Sequence, residues 1–429
     1  MSQSQDLDKY KYLSGFANHF ATEAIAGALP KGKNSPQKPA FGLYAEQING
    51  TSFLMSRHEN LRSWYYRIQP SVVKEAYKKT QQLLWKSVPC QVDNYDPNAM
   101  RWDPIEYPED KKDFIDGVVT YCANQQCSIH LYAANQNMQK RYFYNADAHL
   151  LIVPQEGVLE IKTEMGILVV APQEIAVLPR GIVFQVNLLS DQARGYICEN
   201  FGEAFRLPDL GPIGSNGLAN HRDFLTPMAW YEDIKGEFEL LTKYQGSLWK
   251  SVIDHSPLNV VAWHGNYAPY KYDLNHFNTI NSVSFDHPDP SIFTVLTAPS
   301  AIKGQSNVDF VIFPPMWLVA EDTFRPAYYH RNLMSEFMGL IYGTYLAKTK
   351  GFQPGGASLH NQMTPHGPAS DIFDKASNEN LKPNKLDPTL AFMFESNQAF
   401  GLTDYALNTN TRQMDYQQCW QKLKHHYSK

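Results

Sequence analysis

Between Leu150 and Val186 the chain alternates short apolar runs with clusters of turn formers: Pro154-Gln155-Glu156-Gly157, Glu164-Met165-Gly166 and Pro179-Arg180-Gly181. Apolar runs this short and this regularly cut predict antiparallel strands folded as a meander or a sandwich. A similar pattern occupies the last third. Phe324 to Tyr329 reads as a strand running in, Arg331 to Ser335 as a turn, and Glu336 to Tyr342 as a strand running out. Beyond it, Gly351-Phe352-Gln353-Pro354-Gly355-Gly356 and Met363-Thr364-Pro365-His366-Gly367-Pro368 bend the chain repeatedly around histidines.

Helical spacing is confined to three stretches. Ser71 to Lys86 opens with a Ser N-cap after Pro70 and places Val73, Ala76, Tyr77, Leu83 and Leu84 as its apolar positions. Asp371 to Glu379 follows Pro368, and Asp415 to Tyr427 carries Trp420, Leu423 and Tyr427 at the spacing of a docking helix. The expected fold is therefore mainly β, with a few peripheral helices. No internal repeat or long linker stands out. A shift in pattern near Tyr270 to Asn281 divides the chain into residues 1–275 and 276–429.

Length and composition narrow the class. A chain of 429 residues that is 43% hydrophobic can bury two or more sizeable cores. A formal charge of -5 leaves no electrostatic footprint for nucleic acid. The five cysteines, Cys90, Cys122, Cys127, Cys198 and Cys419, are odd in number and mostly far apart, which suits reduced thiols in a cytoplasmic protein. Met1 to Lys9 is polar, and no apolar run approaches the roughly 18 residues of a membrane span. Both observations argue against secretion and against membrane insertion.

Three residues carry the candidate chemistry. His330, Glu336 and His366 have the composition of a two-histidine, one-carboxylate centre, in which Fe(II) keeps open positions for a substrate and dioxygen side by side. Six residues of straight strand, at about 3.3 Å each, would separate His330 from Glu336 by roughly 20 Å. Six residues of helix, at about 3.6 per turn, would leave them on different faces. Only a bend between them brings both to one ion, which is why the stretch is read as a hairpin. Spacing alone does not name the metal.

These residues lie in segments similar to the homogentisate 1,2-dioxygenase family. Phe324-Arg325-Pro326-Ala327-Tyr328-Tyr329-His330-Arg331-Asn332, Met334-Ser335-Glu336-Phe337-Met338-Gly339-Leu340-Ile341, Pro354-Gly355-Gly356-Ala357-Ser358-Leu359-His360 and Met363 to Pro368 all resemble it. So do Tyr12 to Phe20, Leu207 to Gly214, Val260 to Tyr267 and Phe285 to Phe293, so the likeness spans nearly the whole chain. It implies a cupin-like jelly roll in two parts, with Fe(II) held in the carboxy-terminal part by His330, Glu336 and His366. The general cupin pattern is only partly kept: Glu336 and Gly343 fit, but His330 stands alone and farther away. Asp147 and His149, followed by hairpins and a Pro-Xaa-Gly turn, echo that site as a degenerate second half, with His149 read as structural.

By the same resemblance the substrates are homogentisate and O2. The ring opens beside the acetate-bearing carbon to give maleylacetoacetate, a step of tyrosine and phenylalanine catabolism that needs no organic cofactor. His287, in Asp286-His287-Pro288, matches the family's proton-handling histidine, and a base within reach of a ring hydroxyl favours the electron-rich phenolate. Tyr345, His360 and His366 match pocket positions that hold substrate, and Tyr328 and Asn332 flank His330. Family members are homohexamers, dimers of trimers. The chain departs from the family after Pro368, where Ala369 stands in place of an expected aspartate and Asp371 follows two positions on; the partner of the second His366 nitrogen is therefore open. A manganese or zinc isomerase would share the ligands, and a non-catalytic cupin would be expected to lack one of them.

Overall fold

The computed structural model describes residues 10–80, 84–86, 94–209, 218–279, 284–347 and 350–429. Among them the chain is mainly β, in antiparallel-rich sheets of nine, seven, six, four and two strands, with α-helices only at Ser370–Asn378 and Asp404–Asn408. Eight strands bear on the site: β1 (Cys127–Ala134), β2 (His149–Glu156), β3 (Ala193–Asn200), β4 (Lys235–Tyr244), β5 (Ser306–Phe313), β6 (Ser335–Gly343), β7 (Ala357–His360) and β8 (Thr389–Ser396).

The nine-stranded sheet, which contains β1, β2 and β3, is buried on both faces. Successive side chains of a strand point to opposite faces, so one set, Ile129, Leu131, Ala133, Leu151 and Val153, joins Phe310, Phe337 and Phe392 of the six-stranded sheet in one core. The other set, Tyr132, Leu150 and Ile152, joins Ile161, Leu168 and Phe184 of the seven-stranded sheet in a second. Two-sided burial explains why β1 is buried at every position. The strands expected between Leu150 and Val186 form, with turns at Glu164-Met165 and Arg180-Gly181, but β2 runs on through Pro154 to Glu156 and bends only at Gly157; the strands divide between these two sheets.

The six-stranded sheet carries the candidate site and orders Thr294–Pro299, β5, β8, β6, β7 and Met100–Trp102. Its last strand comes from far upstream: Trp102 pairs with Ala357. In return Gly401–Leu402 completes the edge of the nine-stranded sheet against Cys122 and Ala123. Gly343 ends β6 at φ +76°, where a Cβ would stand 2.1 Å from the Pro388 carbonyl oxygen, so only glycine fits this exit.

Two helix expectations need correction. Residues 71–80 are not helical, and 81–83 lie outside the described residues. Instead the Glu75 and Thr80 amides donate to the Val252 and Leu248 carbonyls, and Lys78–Lys79 pairs with Trp249 and Lys250 at the edge of the seven-stranded sheet. An open sheet edge offers backbone partners at every second residue and prevails over a weak amphipathic pattern, and Val73 is left 43% exposed. Within Asp415 to Tyr427 only Tyr416–Trp420 is helical, as a 3-10 turn with Tyr416 buried. The helix expected at Asp371 to Glu379 forms as Ser370–Asn378. Cys122, Cys127 and Cys198 are buried free thiols and Cys419 is half-buried, while Cys90 and Leu210 to Gly214 lie outside the described residues, as does Asn281.

Candidate metal centre

The hairpin expected around His330 does not form, because Phe324 to Tyr329 is not a strand. Residues 324–329, with Pro326 among them, cross the site irregularly. The outgoing strand is correct: β6 begins at Ser335. What holds His330 is an isolated antiparallel bridge to His366, with each backbone amide donating to the other's carbonyl at 3.0 and 3.1 Å. One candidate histidine is thus bonded through its main chain to the other, and their rings lie 4.2 Å apart between centroids.

Both imidazoles are oriented in the same way. His330 Nδ1 lies 2.7 Å from the Tyr328 carbonyl oxygen, and His366 Nδ1 lies 2.9 Å from that of Thr364. A carbonyl only accepts, so Nδ1 carries the proton in each ring and Nε2 is left with its lone pair. Both Nε2 atoms face Glu336, His330 at 3.7 Å from Oε1 and His366 at 3.0 Å from Oε2. The open question about His366 is answered by Thr364. Asp371 is engaged elsewhere, with the Ile372 amide and Lys350.

The donor atoms of His330, Glu336 and His366 lie within 4.8 Å of one another, so the three form a group that could hold a metal ion. The donor set fits one. Ligands at roughly 2.1 Å from an ion, on adjacent corners, stand about 3 Å apart, and a buried carboxylate facing two imidazole lone pairs needs a cation or a proton between them. Burial alone would raise Glu336, but the neighbouring imidazoles of His330, His360 and His366 hold it well below the usual carboxylate range. In turn Glu336 raises His330.

The other expected residues gather round the same cavity of about 530 Å³, lined by His287, Tyr328, Asn332, Tyr345 and His360 as well as the three central groups. His360 is buried and its ring stacks on His366, centroids 4.1 Å apart at 4°. Behind it, its Nε2 meets the Tyr416 hydroxyl at 3.0 Å, and Arg101 covers the Tyr416 ring. The docking expected of the tail is therefore met in part, since Trp420 also donates to the Gly367 carbonyl at 3.2 Å. Burial raises the Tyr345 hydroxyl far above its ordinary value and keeps it a neutral donor. The Tyr328 ring stands between those of His287 and His330, 6.0 and 5.7 Å from them. His287 Nε2 lies 2.5 Å from the Phe324 carbonyl oxygen, so it carries the proton and Nδ1 is the basic atom.

Sequence reasoning missed Glu395. It sits in β8 directly opposite Glu336 and lines the cavity; burial, then Glu336 and Asp309, push it up to about 8. Its signal was an ionisable residue directly following the apolar run Leu390 to Phe394. A second polar cluster, in the first part of the chain, holds no comparable group of donors among the described residues. There Lys243 of β4 donates to both Glu199 oxygens at 2.7 and 2.9 Å, and Glu199 also faces His130 at 3.1 Å. His149 accepts from the Arg180 amide at 3.2 Å, consistent with its structural reading.

Two family models match the chain, Homogentisate 1,2-dioxygenase N-terminal over residues 11–274 and Homogentisate 1,2-dioxygenase C-terminal over residues 275–427. Among solved structures, a point mutant of Bacillus subtilis oxalate decarboxylase is 12% identical and covers 73% of this chain and 80% of its own, at a TM-score of 0.31. A cupin-2 domain containing protein from Shewanella frigidimarina is 17% identical and covers 18% of this chain and 72% of its own, at 0.16. Among the described residues no helix is long and apolar enough to cross a membrane. The family models between them account for nearly every residue, and the chain belongs to the homogentisate 1,2-dioxygenase family, enzymes that cleave the ring of homogentisate.

Proposed function

We propose that Fe(II) is the ion, held by Nε2 of His330, Nε2 of His366 and the Glu336 carboxylate, and that the chain uses it with O2 to convert homogentisate to maleylacetoacetate, both oxygen atoms entering the product. The observation that carries this reading is the pair of imidazoles whose Nδ1 atoms are tied to backbone carbonyls while both Nε2 atoms face one buried carboxylate. When bound, ferrous iron on such a three-residue face supplies open positions and electron density for dioxygen, which a closed-shell ring alone does not reduce.

The chain's own residues do the rest. His287 Nδ1 takes the proton of a ring hydroxyl, and its fixed Nε2–H bond to Phe324 keeps the ring from turning away. Tyr345 offers a donor to the substrate's polar groups, with His360 and His366 alongside, while Tyr328 and Asn332 line the cavity beside His330. Phe293, Phe313, Met338 and Met393 form the apolar part of the wall and exclude water from the ring.

The same reading includes a division near residue 275, supported by family models that abut there. It includes a homohexamer built from two trimers, supported by bulky apolar side chains left outside, Leu54 at 96% and Phe285 at 84% exposed. A cytoplasmic setting is supported by the buried free thiols. The test is anaerobic loading of the metal-free protein with Fe(II), Mn(II) or Zn(II), followed by oxygen uptake on homogentisate and on isomeric dihydroxyphenylacetates. Uptake confined to Fe(II) and homogentisate is expected. Turnover without oxygen consumption, or with Zn(II) alone, overturns the iron assignment.

A further inference from the structure

Four polar residues stand abreast on one face of the six-stranded sheet. Asp309 of β5 is paired with Glu395 of β8, Glu395 with Glu336 of β6, and Glu336 with His360 of β7. Directly opposite residues on antiparallel strands bring their Cβ atoms to about 4.5–5.5 Å, and like charges so placed repel. Three carboxyl groups in a row are eased by a donor between them.

That donor is Asn332. Its Nδ2 lies 2.9 Å from Glu336 Oε1 and 3.4 Å from Glu395 Oε1. Its own oxygen accepts the Met334 amide at 2.9 Å, which fixes which end of the side-chain amide is which: the oxygen must face the backbone N–H, so the NH2 must face the acids. With Oε1 taken by this amide, Glu336 is held broadside to both histidines, Oε1 toward His330 and Oε2 toward His366 and His360.

We propose that Asn332 is a positioning residue, seated between Glu336 and Glu395, that locks the Glu336 carboxylate in its ligating orientation, and that Glu395 is the second acceptor that steadies the amide. This assignment rests on the metal centre proposed above and gives Asn332 a role distinct from contact with substrate. Hydrogen-bonded partners behind a ligand are worth about 10–100-fold in metal affinity.

The test titrates metal-free protein anaerobically with Co(II), read by its visible absorption, in the parent and in Asn332→Leu, Glu395→Leu and Glu395→Gln, with thermal melting in parallel. Asn332→Leu is expected to bind Co(II) about 10–100-fold more weakly. Glu395→Leu should weaken it in the same direction, and Glu395→Gln, whose carbonyl still accepts from the amide, should restore most of the loss. Should Asn332→Leu fail to fold, the Glu395 pair decides alone. Equal affinity in parent and Leu variants, with only the melting temperature lowered, overturns the proposal and leaves Asn332 a structural residue. A parent that takes up no Co(II), or an unchanged affinity in His366→Ala, overturns the metal centre itself and is told apart by that result.

Discussion

Gly367→Ala tests whether ligand spacing depends on the main-chain bridge between His330 and His366. A Cβ on Gly367 would lie 2.5 Å from Tyr329 Cδ1 and 3.0 Å from Tyr329 Cα, about 0.9 and 0.4 Å short of ordinary contact. The half-exposed Tyr329 ring can swing aside, but its Cα cannot move without taking His330 with it. Relief therefore separates residues 329–330 from 366–367 and stretches the two bridge hydrogen bonds of 3.0 and 3.1 Å. Overpacking of this kind costs about 1–3 kcal/mol, and a misplacement of roughly 1 Å at a reacting centre costs about 10²-fold in rate. The assay is Co(II) affinity of the metal-free variant, then oxygen uptake after Fe(II) loading, with melting as the control. Affinity and rate are both expected to fall while the fold persists. A variant that loses stability yet keeps the parent's affinity and rate would refute the link between bridge and ligand spacing.

Replacing His330 or His366 by Ala should abolish metal retention, measured by elemental analysis, together with turnover. His287→Ala should keep its iron and lose about 10²–10⁴-fold in kcat, the usual weight of a general base; an iron-free His287→Ala protein would move that residue into the coordination sphere. Metal affinity should weaken as pH falls, because Glu336 raises His330 above its ordinary 6.5 and its proton competes with the ion. In the metal-free protein the same shift adds stability that is fully present below about 6.5 and disappears as pH rises through the raised value. An affinity flat across this range counts against His330 as a ligand. In the first part of the chain, Lys243→Met leaves Glu199 buried and without its cation and should cost about 3–5 kcal/mol in denaturant unfolding; adding Glu199→Gln should recover much of it.

The sequence made the strands legible wherever turn formers cut the apolar runs, as from Leu150 to Val186, and it made the three central residues legible because imidazole and carboxylate side chains announce their chemistry. What brings those residues together was not legible. The His330–His366 bridge joins segments 36 positions apart through backbone atoms, which leave no mark on side-chain pattern. A bend was required and a hairpin was the local way to supply one; the chain uses a distant partner instead. The helix expected from Ser71 failed for a similar reason, since the edge that captures Lys78–Lys79 lies at Trp249 and Lys250. Glu395 was readable in principle, as an acid in an apolar strand, but only the cross-strand register reveals that it faces Glu336.

Because His330 and His366 are yoked by main-chain bonds, the seat for the ion is built by folding and does not wait for the ion to build it. A chelator should then strip the protein without unravelling it, and reloading should be quick and complete, without a refolding step. Loss of activity through loss of the ion then becomes a reversible event for this chain, repaired by supplying the metal.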